Sequence, residues 1–363
     1  MRRLHALGIA THLLLISLIS LQAVGQQVTT PRTPSPAASV TQTIGISTVT
    51  INYSRPSVKG REVWGKLVPY GLTMQLGGNG IPAPWRAGAN ENTTIKLSND
   101  ATIEGKPVPA GIYGLFFIVN EDNTADLILS KDNQSWGNFF YDPSQDLFRT
   151  KIKLREVPFT EMLTYDFMNS TKNSSELVLN WEKKQFPVKI EFDVDKIVME
   201  NAAAELKSAK GFGWQGYASA ANYAAQNKTN YDQALKWADQ AVALNNSFPT
   251  LNVRANVLRA WGKTEEADRA VNDGIAVSTE NELNNYGYQL MNNGKIDKAI
   301  EVFTLNTKRF PKSANCFDSL GEAYVTKGDS KSAITNFKKS LSMDPPANVK
   351  ANSEKFLKQL GAL

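Results

Sequence analysis

Histidine and cysteine are the residues that this chain has least of, with two histidines and one cysteine among 363 residues. The histidines are His5 and His12, and the cysteine is Cys316. Beyond residue 12, the absence of an imidazole excludes serine–histidine and cysteine–histidine nucleophilic catalysis and histidine-ligated metal sites. An intrachain disulfide is also excluded, because a bridge needs two sulfur atoms.

The first 25 residues have the pattern of a secretory signal peptide. Arg2 and Arg3 precede the apolar run "LLLISLISL", and Ala23-Val24-Gly25 is a small-residue cleavage site. An uncleaved anchor is the alternative, but the apolar run is short for a spanning helix. We expect a mature chain that begins near Gln26, is periplasmic or secreted, and is not an integral membrane protein. No cysteine follows the apolar run at the cleavage site, so lipoprotein attachment is excluded.

Neither half of the chain has an excess of charge of the kind that binds nucleic acid. Residues 33–195 carry 16 Lys and Arg against 18 Asp and Glu, and residues 196–363 carry 21 against 17. The remaining basic residues lie near the N-terminus. A nucleic-acid-binding face needs a dense basic patch, so we exclude nucleic acid as a partner.

Residues 40–194 show the two-residue period of half-buried strands. In "TVTINYS", Val49, Ile51 and Tyr53 share one face, while Thr and Asn residues take the other. Similar runs follow, separated by turn residues: "TTIKLS", "GIYGLFFIV", "ADLILS", "RTKIKLREV", "MLTYDFMN", "SELVLNWE" and "FPVKIEFDV". Eight or nine short strands without a helix between them predict an all-β sandwich or jelly-roll-like domain.

The second half has a repeat of 32 to 34 residues. Its shared alanines are Ala234, Ala267, Ala299 and Ala333. Small residues stand twelve positions before the last three of these alanines, namely Ala255, Gly287 and Gly321. Small residues at these places let two antiparallel helices approach closely. The copy "NCFDSLGEAYVTKGDSKSAITNFKKSLSMDPP" resembles the tetratricopeptide repeat, a helix-turn-helix unit that stacks into a solenoid.

Four copies are present, with differences among them. The third copy matches the repeat well, the second lacks the closing proline, and the first has Ala218 where a large aromatic residue is usual. The segment "VKANSEKFLKQLGAL" resembles a terminal cap helix. The predicted organisation is a signal peptide at 1–25, a Pro/Ser/Thr linker at 26–38, a β-sandwich domain at 39–195, a connecting helix at 196–212, and four repeats with a cap helix at 213–363.

The β-domain resembles a family of exported domains, the domain-of-unknown-function family numbered 2911. Three motifs carry the resemblance over residues 36–195: "NYSRPSVKGREVWGKLVPYG", "WRAGANENTTI" and "PAGIYGLFFI". Members of this family are sometimes fused to tetratricopeptide repeats. The resemblance supports the domain boundaries and implies no definite activity.

Polar residues around a tryptophan form a candidate pocket in the β-domain. The candidate residues are Arg55, Lys59, Arg61, Trp85, Arg86, Asn90 and Glu91. Trp85 could offer a stacking face and Arg86 a planar fork for a carboxylate. In the structural alternative, Trp85 plugs the end of the sandwich, Arg86 pairs with Glu91, Asn90 caps a turn, and Gly88 supplies a φ angle that other residues avoid.

The first helix of each repeat should line a groove. From the phase of the alanines, we expect this groove to display Asn252, Asn256, Arg259, Asn284, Tyr288, Asn292, Asp318 and Glu322. A carboxamide both donates and accepts hydrogen bonds, so a row of asparagines can bind an extended peptide backbone. The alternative is that asparagine is simply a tolerated surface residue.

These patterns predict a non-enzymatic, exported scaffold that binds a protein or peptide partner in the cell envelope, with the β-domain as a second binding or docking module. No cofactor and no metal are expected. A carbohydrate-binding β-domain is one alternative, with a stacking platform at Trp85, Trp136 or Tyr141.

A carboxylate-only hydrolase is a further alternative, in which Glu91 works with Asp100, Asp142 or Asp146. The acidic segment from Asn120 to Asp126 is more typical of a hairpin turn than of a calcium loop. Cys316 is expected to be a buried apolar residue rather than a reactive thiol.

Overall fold

A computed structural model describes residues 34–363 as two compact units. The first unit extends to Val194, and the second runs from Asp195 to Leu363. The predicted signal peptide and residues 26–33 of the predicted linker lie outside the described residues. Within residues 34–363, every helix is too short or too polar to cross a membrane.

The first unit consists of two antiparallel sheets. Its strands are β1 (Ala37–Ile44), β2 (Ser47–Ser54), β3 (Thr94–Leu97), β4 (Ala101–Ile103), β5 (Lys106–Val108), β6 (Gly111–Val119), β7 (Thr124–Ser130), β8 (Asp146–Lys153), β9 (Arg155–Met168) and β10 (Ser174–Glu191). The larger sheet has the order β1-β2-β3-β6-β7-β8, and the smaller has the order β5-β4-β10-β9. A long loop between β2 and β3, residues 55–93, contains all seven candidate pocket residues.

Aromatic side chains fill the space between the two sheets. Phe117 of β6 packs against Phe186 of β10, with ring centroids 4.9 Å apart. Tyr53 of β2 meets Tyr165 of β9 edge-on at 4.7 Å. Inward-facing residues of two sheets that interdigitate in this way form the core of a sandwich. The predicted antiparallel β-sandwich is confirmed.

The second unit is helical throughout its regular structure. Its helices, the first of which begins at the last residue of the β unit, are α1 (Val194–Glu205), α2 (Trp214–Gln226), α3 (Tyr231–Leu244), α4 (Phe248–Ala260), α5 (Thr264–Val277), α6 (Glu280–Asn292), α7 (Ile296–Arg309), α8 (Ala314–Lys327), α9 (Ser330–Leu341) and α10 (Ala347–Gln359). Four antiparallel pairs follow one another from α2 to α9, and α10 packs against the last pair. The predicted all-α repeat solenoid is confirmed.

Small residues let the two helices of a pair approach closely. The shared alanines are all fully buried in the second helix of each pair. A Cβ added to Gly287 in α6 would lie 2.5 Å from the ring of Phe303 in α7. A Cβ on Gly321 in α8 would lie 2.7 Å from Phe337 in α9. The repeat therefore places a glycine opposite a large ring, which explains its spacing.

Candidate functional site

The loop between β2 and β3 and strand β10 enclose a pocket of about 370 Å³. Lys59, Arg61, Trp85 and Arg86 of the loop line it, together with Trp181 of β10. The lining includes no acidic residue. Four of the seven candidate residues therefore meet at one pocket, which we call the cationic pocket.

Three tryptophans form one wall of the cationic pocket and the core behind it. Trp85 and Trp181 stack with centroids 5.8 Å apart and ring planes 19° apart. Trp64 meets both rings edge-on, at 5.7 and 5.8 Å. The indole nitrogens of Trp85 and Trp64 donate to the Gly88 carbonyl and to Glu182 Oε2. Trp181 is 1% exposed, and its Nε1 has no acceptor among the described residues.

The expected ion pair between Arg86 and Glu91 is not formed. Arg86 Nη1 donates to the Asn90 carbonyl at 3.0 Å, and its guanidinium lies 5.6 Å from the centre of the Phe139 ring. Glu91 instead accepts from the Ser54 hydroxyl. Burial without a nearby carboxylate lowers the pKa of Arg86 below its ordinary value.

The side chains of Arg61 and Lys59 also lack an ion-pair partner, although the backbone N–H of Lys59 donates to Glu161 Oε1 at 2.9 Å. Arg61 donates from Nε to the Val58 carbonyl and from Nη2 to the Ser57 carbonyl. No carboxylate of residues 34–363 lies within ion-pair distance of Lys59, Arg61 or Arg86. The cationic pocket therefore holds three positive side chains that have no ion-pair partner within the described part of the chain.

The other three candidates brace the loop instead of lining the pocket. Arg55 donates to the Leu163 carbonyl and to Thr164 Oγ1, which ties the loop to β9. Asn90 donates to the Ser35 carbonyl. These contacts fix the start of the loop and the segment before β1, and they explain why polar residues are dense here.

Ala87 and Asn90 take the left-handed backbone conformation in this segment, and Gly88 does not. Ala87 has φ 52° and is fully buried, while its carbonyl accepts from Thr93 Oγ1 and Tyr165 OH. The glycine is needed for space, because a Cβ on Gly88 would lie 2.7 Å from Thr93 Oγ1. The expectation about Gly88 was wrong, since close packing and not φ requires a glycine there.

The repeat unit has a larger opening, of about 770 Å³, between the α4/α5 pair and the α6/α7 pair. Five carboxamide residues line it, namely Asn252, Asn256, Asn272, Gln289 and Asn293. Their side chains make no hydrogen bond with any other residue that the structure describes. Acidic and basic residues lie around them: Arg259, Asp268, Lys295, Lys298 and Glu301. We call this opening the amide cleft.

The amide cleft coincides with the shortest link between successive helix pairs. Two residues separate α5 from α6, whereas three separate α3 from α4 and four separate α7 from α8. The second copy also lacks the closing proline. Phe248 of α4 still meets Tyr286 of α6, with ring centroids 4.8 Å apart. The two helix pairs that line the cleft therefore stay in contact through these rings.

Three of the eight predicted groove residues line the amide cleft. They are Asn252, Asn256 and Arg259, and Arg259 also lies 3.3 Å from Asp268. Asn284 and Asn292 lie outside the lining. Asn284 Oδ1 is buried without a partner among the described residues, and Asn292 is exposed.

The remaining groove candidates bond to one another and to the cap helix α10. Tyr288 OH donates to Glu322 Oε1 at 3.2 Å. Asn352 Nδ2 of α10 donates to Glu322 Oε1 at 2.6 Å and to Asp318 Oδ2 at 2.8 Å. Burial raises the pKa of Asp318 and of Glu322 above their ordinary values. Asp318 and Glu322 therefore accept hydrogen bonds from the cap helix of the same chain.

Most residues proposed for a carbohydrate-binding or hydrolase site make hydrogen bonds within the β unit. Tyr141 is 4% exposed and donates to Asp146, so it offers no open stacking face, while Trp136 is 54% exposed. Asp142 caps a 3₁₀ turn. Within residues 34–363, no three His, Cys, Asp or Glu side chains converge on a metal position.

The remaining acidic turn and the cysteine have structural surroundings. Asp122 accepts from Thr124 in the hairpin turn between β6 and β7. Cys316 is fully buried, and burial raises the pKa of its thiol to about 12. A thiol with such a pKa is protonated at neutral pH and is a weak nucleophile.

The chain thus consists of a β-sandwich unit followed by a unit of helical repeats. Residues 35–190 match the family model described as "Protein of unknown function (DUF2911)", and residues 314–346 match a tetratricopeptide repeat model. The chain thus carries a DUF2911 domain fused to C-terminal tetratricopeptide repeats. The predicted resemblance is confirmed.

Solved structures align with part of the chain only. The Pseudomonas aeruginosa protein pilF aligns at 19% identity over 42% of this chain and 71% of its own, with a TM-score of 0.27. MamA from Desulfovibrio magneticus RS-1 aligns at 14% identity over 43% and 88%, with a TM-score of 0.27. YrrB, described as a tetratricopeptide protein with an unusual peptide-binding site, aligns at 16% identity over 43% and 99%, with a TM-score of 0.20. No curated protein matches the chain.

Proposed function

We propose that this protein is a non-enzymatic, exported scaffold that binds a protein or peptide partner in the cell envelope. The amide cleft of the repeat unit is the main binding surface, and the β unit is a second binding module. The observation that carries the proposal is the set of five carboxamides that face one opening without hydrogen-bond partners among the described residues.

An extended peptide fits the chemistry of the amide cleft. Each peptide unit has one donor and one acceptor, and each carboxamide offers both. The cleft also has acidic and basic side chains, which would favour partner residues of either charge. The volume of about 770 Å³ is within the range of ligand sites and accommodates a short segment.

The proposal of a non-catalytic role is supported by the surroundings of the acidic and thiol groups. Asp146 and Asp142 hold local hydrogen bonds, and Cys316 lies in the core of the repeats. General acid–base catalysis needs a group that can reach a substrate. The groups that face the cationic pocket are cations and indoles, which suit binding.

A capture experiment with two matched variants tests the cleft. The chain from residue 26 is immobilised, exposed to an envelope extract, and compared with Asn256→Ala/Asn293→Ala and with Asn285→Ala. Asn285 is exposed on α6 and does not line the cleft. Each hydrogen bond contributes about 0.5–1.5 kcal/mol, so the double variant should bind its partner roughly tenfold more weakly.

Two outcomes of this experiment would contradict the assignment of the binding surface to the cleft. The Asn285→Ala control should capture the same partner at the wild-type level. Equal capture by all three proteins would exclude the carboxamides as the binding groups, and equal loss in both variants would indicate a general surface effect.

Export is tested separately by sequencing the N-terminus of the protein from an envelope fraction. Cleavage after Gly25 should leave Gln26 as the first residue, because the small residues before it suit signal peptidase. A protein that keeps Met1 and stays with the cytoplasmic fraction would contradict the proposal of export and leave the cleft proposal to its own test.

A further inference from the structure

The cationic pocket has the features of a site for a negatively charged ligand. Its lining contributes Lys59, Arg61 and Arg86 and no Asp or Glu. A charge that is partly removed from water is costly unless it is paired. Partial burial of the Arg86 guanidinium disfavours its charged form and therefore lowers its pKa.

A second, independent feature of the pocket is the indole of Trp181. This side chain lines the pocket and is 1% exposed, and its Nε1–H has no acceptor among residues 34–363. Buried indole N–H groups usually have a hydrogen-bond partner. The pocket thus has one buried donor without an acceptor and three cations without an ion-pair partner among the described residues, and an anion supplies acceptor oxygens to groups of this kind.

The apolar residues of the lining determine what kind of ligand fits beside the cations. Trp85, Leu67, Val68 and Pro56 provide an apolar wall, and Trp85 is held by its stacking on Trp181. A volume of about 370 Å³ is at the lower end of the range for small-molecule sites. The pocket therefore suits a small molecule and not a folded partner.

We infer that the cationic pocket binds a small organic anion in which an acid group, a carboxylate or a phosphate, is attached to a flat apolar body. The acid group lies among Lys59, Arg61 and Arg86, and the apolar body lies against Trp85. This deepens the second-module part of the proposed function by giving the class of ligand. The cleft in the repeats is a different site with a different partner.

Binding of four probes tests the inference. The chain from residue 26 is titrated with phenyl phosphate, benzoate, benzyl alcohol and inorganic phosphate, and heat is measured by calorimetry. Phenyl phosphate or benzoate should bind at least tenfold more tightly than benzyl alcohol, which has the ring without the charge. The preference between them distinguishes a phosphate from a carboxylate ligand. Inorganic phosphate should bind more weakly than phenyl phosphate, because it lacks the apolar body.

Variants of the cations complete the test. Arg86→Met should weaken the bound probe about tenfold or more, since charge-assisted hydrogen bonds are lost. Arg86 is half-buried, so Lys59→Met/Arg61→Met provides a second variant at exposed positions. Lys96→Met is the matched control, because Lys96 is exposed on β3 and does not line the pocket.

Three results would overturn the inference. They are equal affinity for benzyl alcohol and the charged probes, equal loss in Lys96→Met and Lys59→Met/Arg61→Met, and no binding of any charged probe at millimolar concentration. None of these results bears on capture through the amide cleft, so failure here and failure of the scaffold proposal are distinguishable.

Discussion

The cationic pocket of the β unit and the contact between α8 and the cap helix of the repeat unit hold charged groups of opposite sign in different surroundings. In the cationic pocket, the side chains of Lys59, Arg61 and Arg86 have no ion-pair partner among the described residues. In the repeat unit, Asp318 and Glu322 are surrounded by the donors Tyr288 and Asn352 of neighbouring helices. Asp318 and Glu322 lie in a predicted groove and are held by hydrogen bonds within the fold, whereas the three cations line an open pocket, where we propose a ligand.

The two units also differ in how they are stabilised. The sandwich depends on rings that are distant in sequence, such as Phe117 and Phe186. The repeats depend on pairs 16 residues apart, such as Gly321 and Phe337. Because each ring packs against the neighbouring helix of its own repeat, we expect the loss of a single ring to lower the free energy of unfolding of the helical unit.

The largest predicted effect is on the stability of the repeats. Phe337 is fully buried and stacks on Phe356 at 5.2 Å. Phe337→Ala should lower the free energy of unfolding by about 3–5 kcal/mol, because it removes the ring and leaves a cavity. Urea unfolding followed by circular dichroism at 222 nm measures the effect, since the helices of residues 34–363 begin at Val194.

Phe212→Ala is the control for this prediction. Phe212 is 87% exposed, and its variant should change stability by no more than about 0.5 kcal/mol. Similar losses for the two variants would show that the buried ring does not carry the packing of the repeats.

The next largest effect concerns Gly137, which supports the cationic pocket. Gly137 has φ 61°, and a Cβ there would clash with Arg86 Nη1 and lie 2.8 Å from the Asn90 carbonyl. Gly137→Ala should combine left-handed backbone strain of about 1–2 kcal/mol with displacement of Arg86. Thermal unfolding measures the stability, and titration with phenyl phosphate measures the pocket.

Gly80→Ala separates the two contributions. Gly80 has φ 80° with nothing within 4 Å of an added Cβ, so its variant should show the strain without the clash. If the two alanine variants lost equal stability and bound phenyl phosphate equally, Gly137 would have no role in positioning Arg86.

The smallest effect is a dependence of stability on pH from Glu322. Burial raises its pKa in the folded protein, so the folded state holds its proton at a pH where the unfolded state has released it. The contribution of Glu322 to stability therefore falls as pH rises from the ordinary glutamate pKa, about 4.3, to the raised value. Below the ordinary pKa this contribution is complete.

Glu322→Gln should remove this slope, because glutamine keeps an acceptor oxygen and has no proton to release. The difference in unfolding free energy between the wild type and the variant, measured from pH 4 to 7, reports Glu322 together with its electrostatic interaction with Asp318. Glu265→Gln, at an exposed position of α5, should keep the wild-type slope. A wild-type slope in Glu322→Gln would contradict the assignment of the effect to this carboxyl.

The sequence predicted regular elements better than their partners. The run "GIYGLFFIV" coincides with β6, because a run of apolar β-forming residues with a turn at each end is a local property, although Tyr113 to Phe117 are all buried and do not alternate. The runs "SELVLNWE" and "FPVKIEFDV" are one strand, β10, in which Glu182 has φ 54° at a register shift with β9. A bulge of this kind resembles a turn in sequence and is distinguished only by pairing.

The candidate sites show the same limit. Lys59, Arg61, Trp85 and Arg86 lie near one another in the chain, and the sequence could group them. Trp181, almost 100 residues later, joins them only because β10 packs behind the loop.

Repeat phase likewise grouped residues that the structure separates, since Asn252, Asn256 and Arg259 line the amide cleft whereas Asp318 is 4% exposed. It could not show that Asn352 of the cap helix bonds to Asp318 and Glu322. Nor did it place Gln289 or Asn293 at the amide cleft, because the cleft is formed by two neighbouring helix pairs and not by the first helices alone.

Photo-cross-linking from the amide cleft in living cells tests the central claim most directly. A photo-reactive benzoylphenylalanine replaces Asn256 in the cleft in one protein and Asn285 outside it in another. The scaffold account predicts a discrete protein adduct from position 256 and none of that mass from position 285. The same adducts from both positions, or none from position 256, would contradict it.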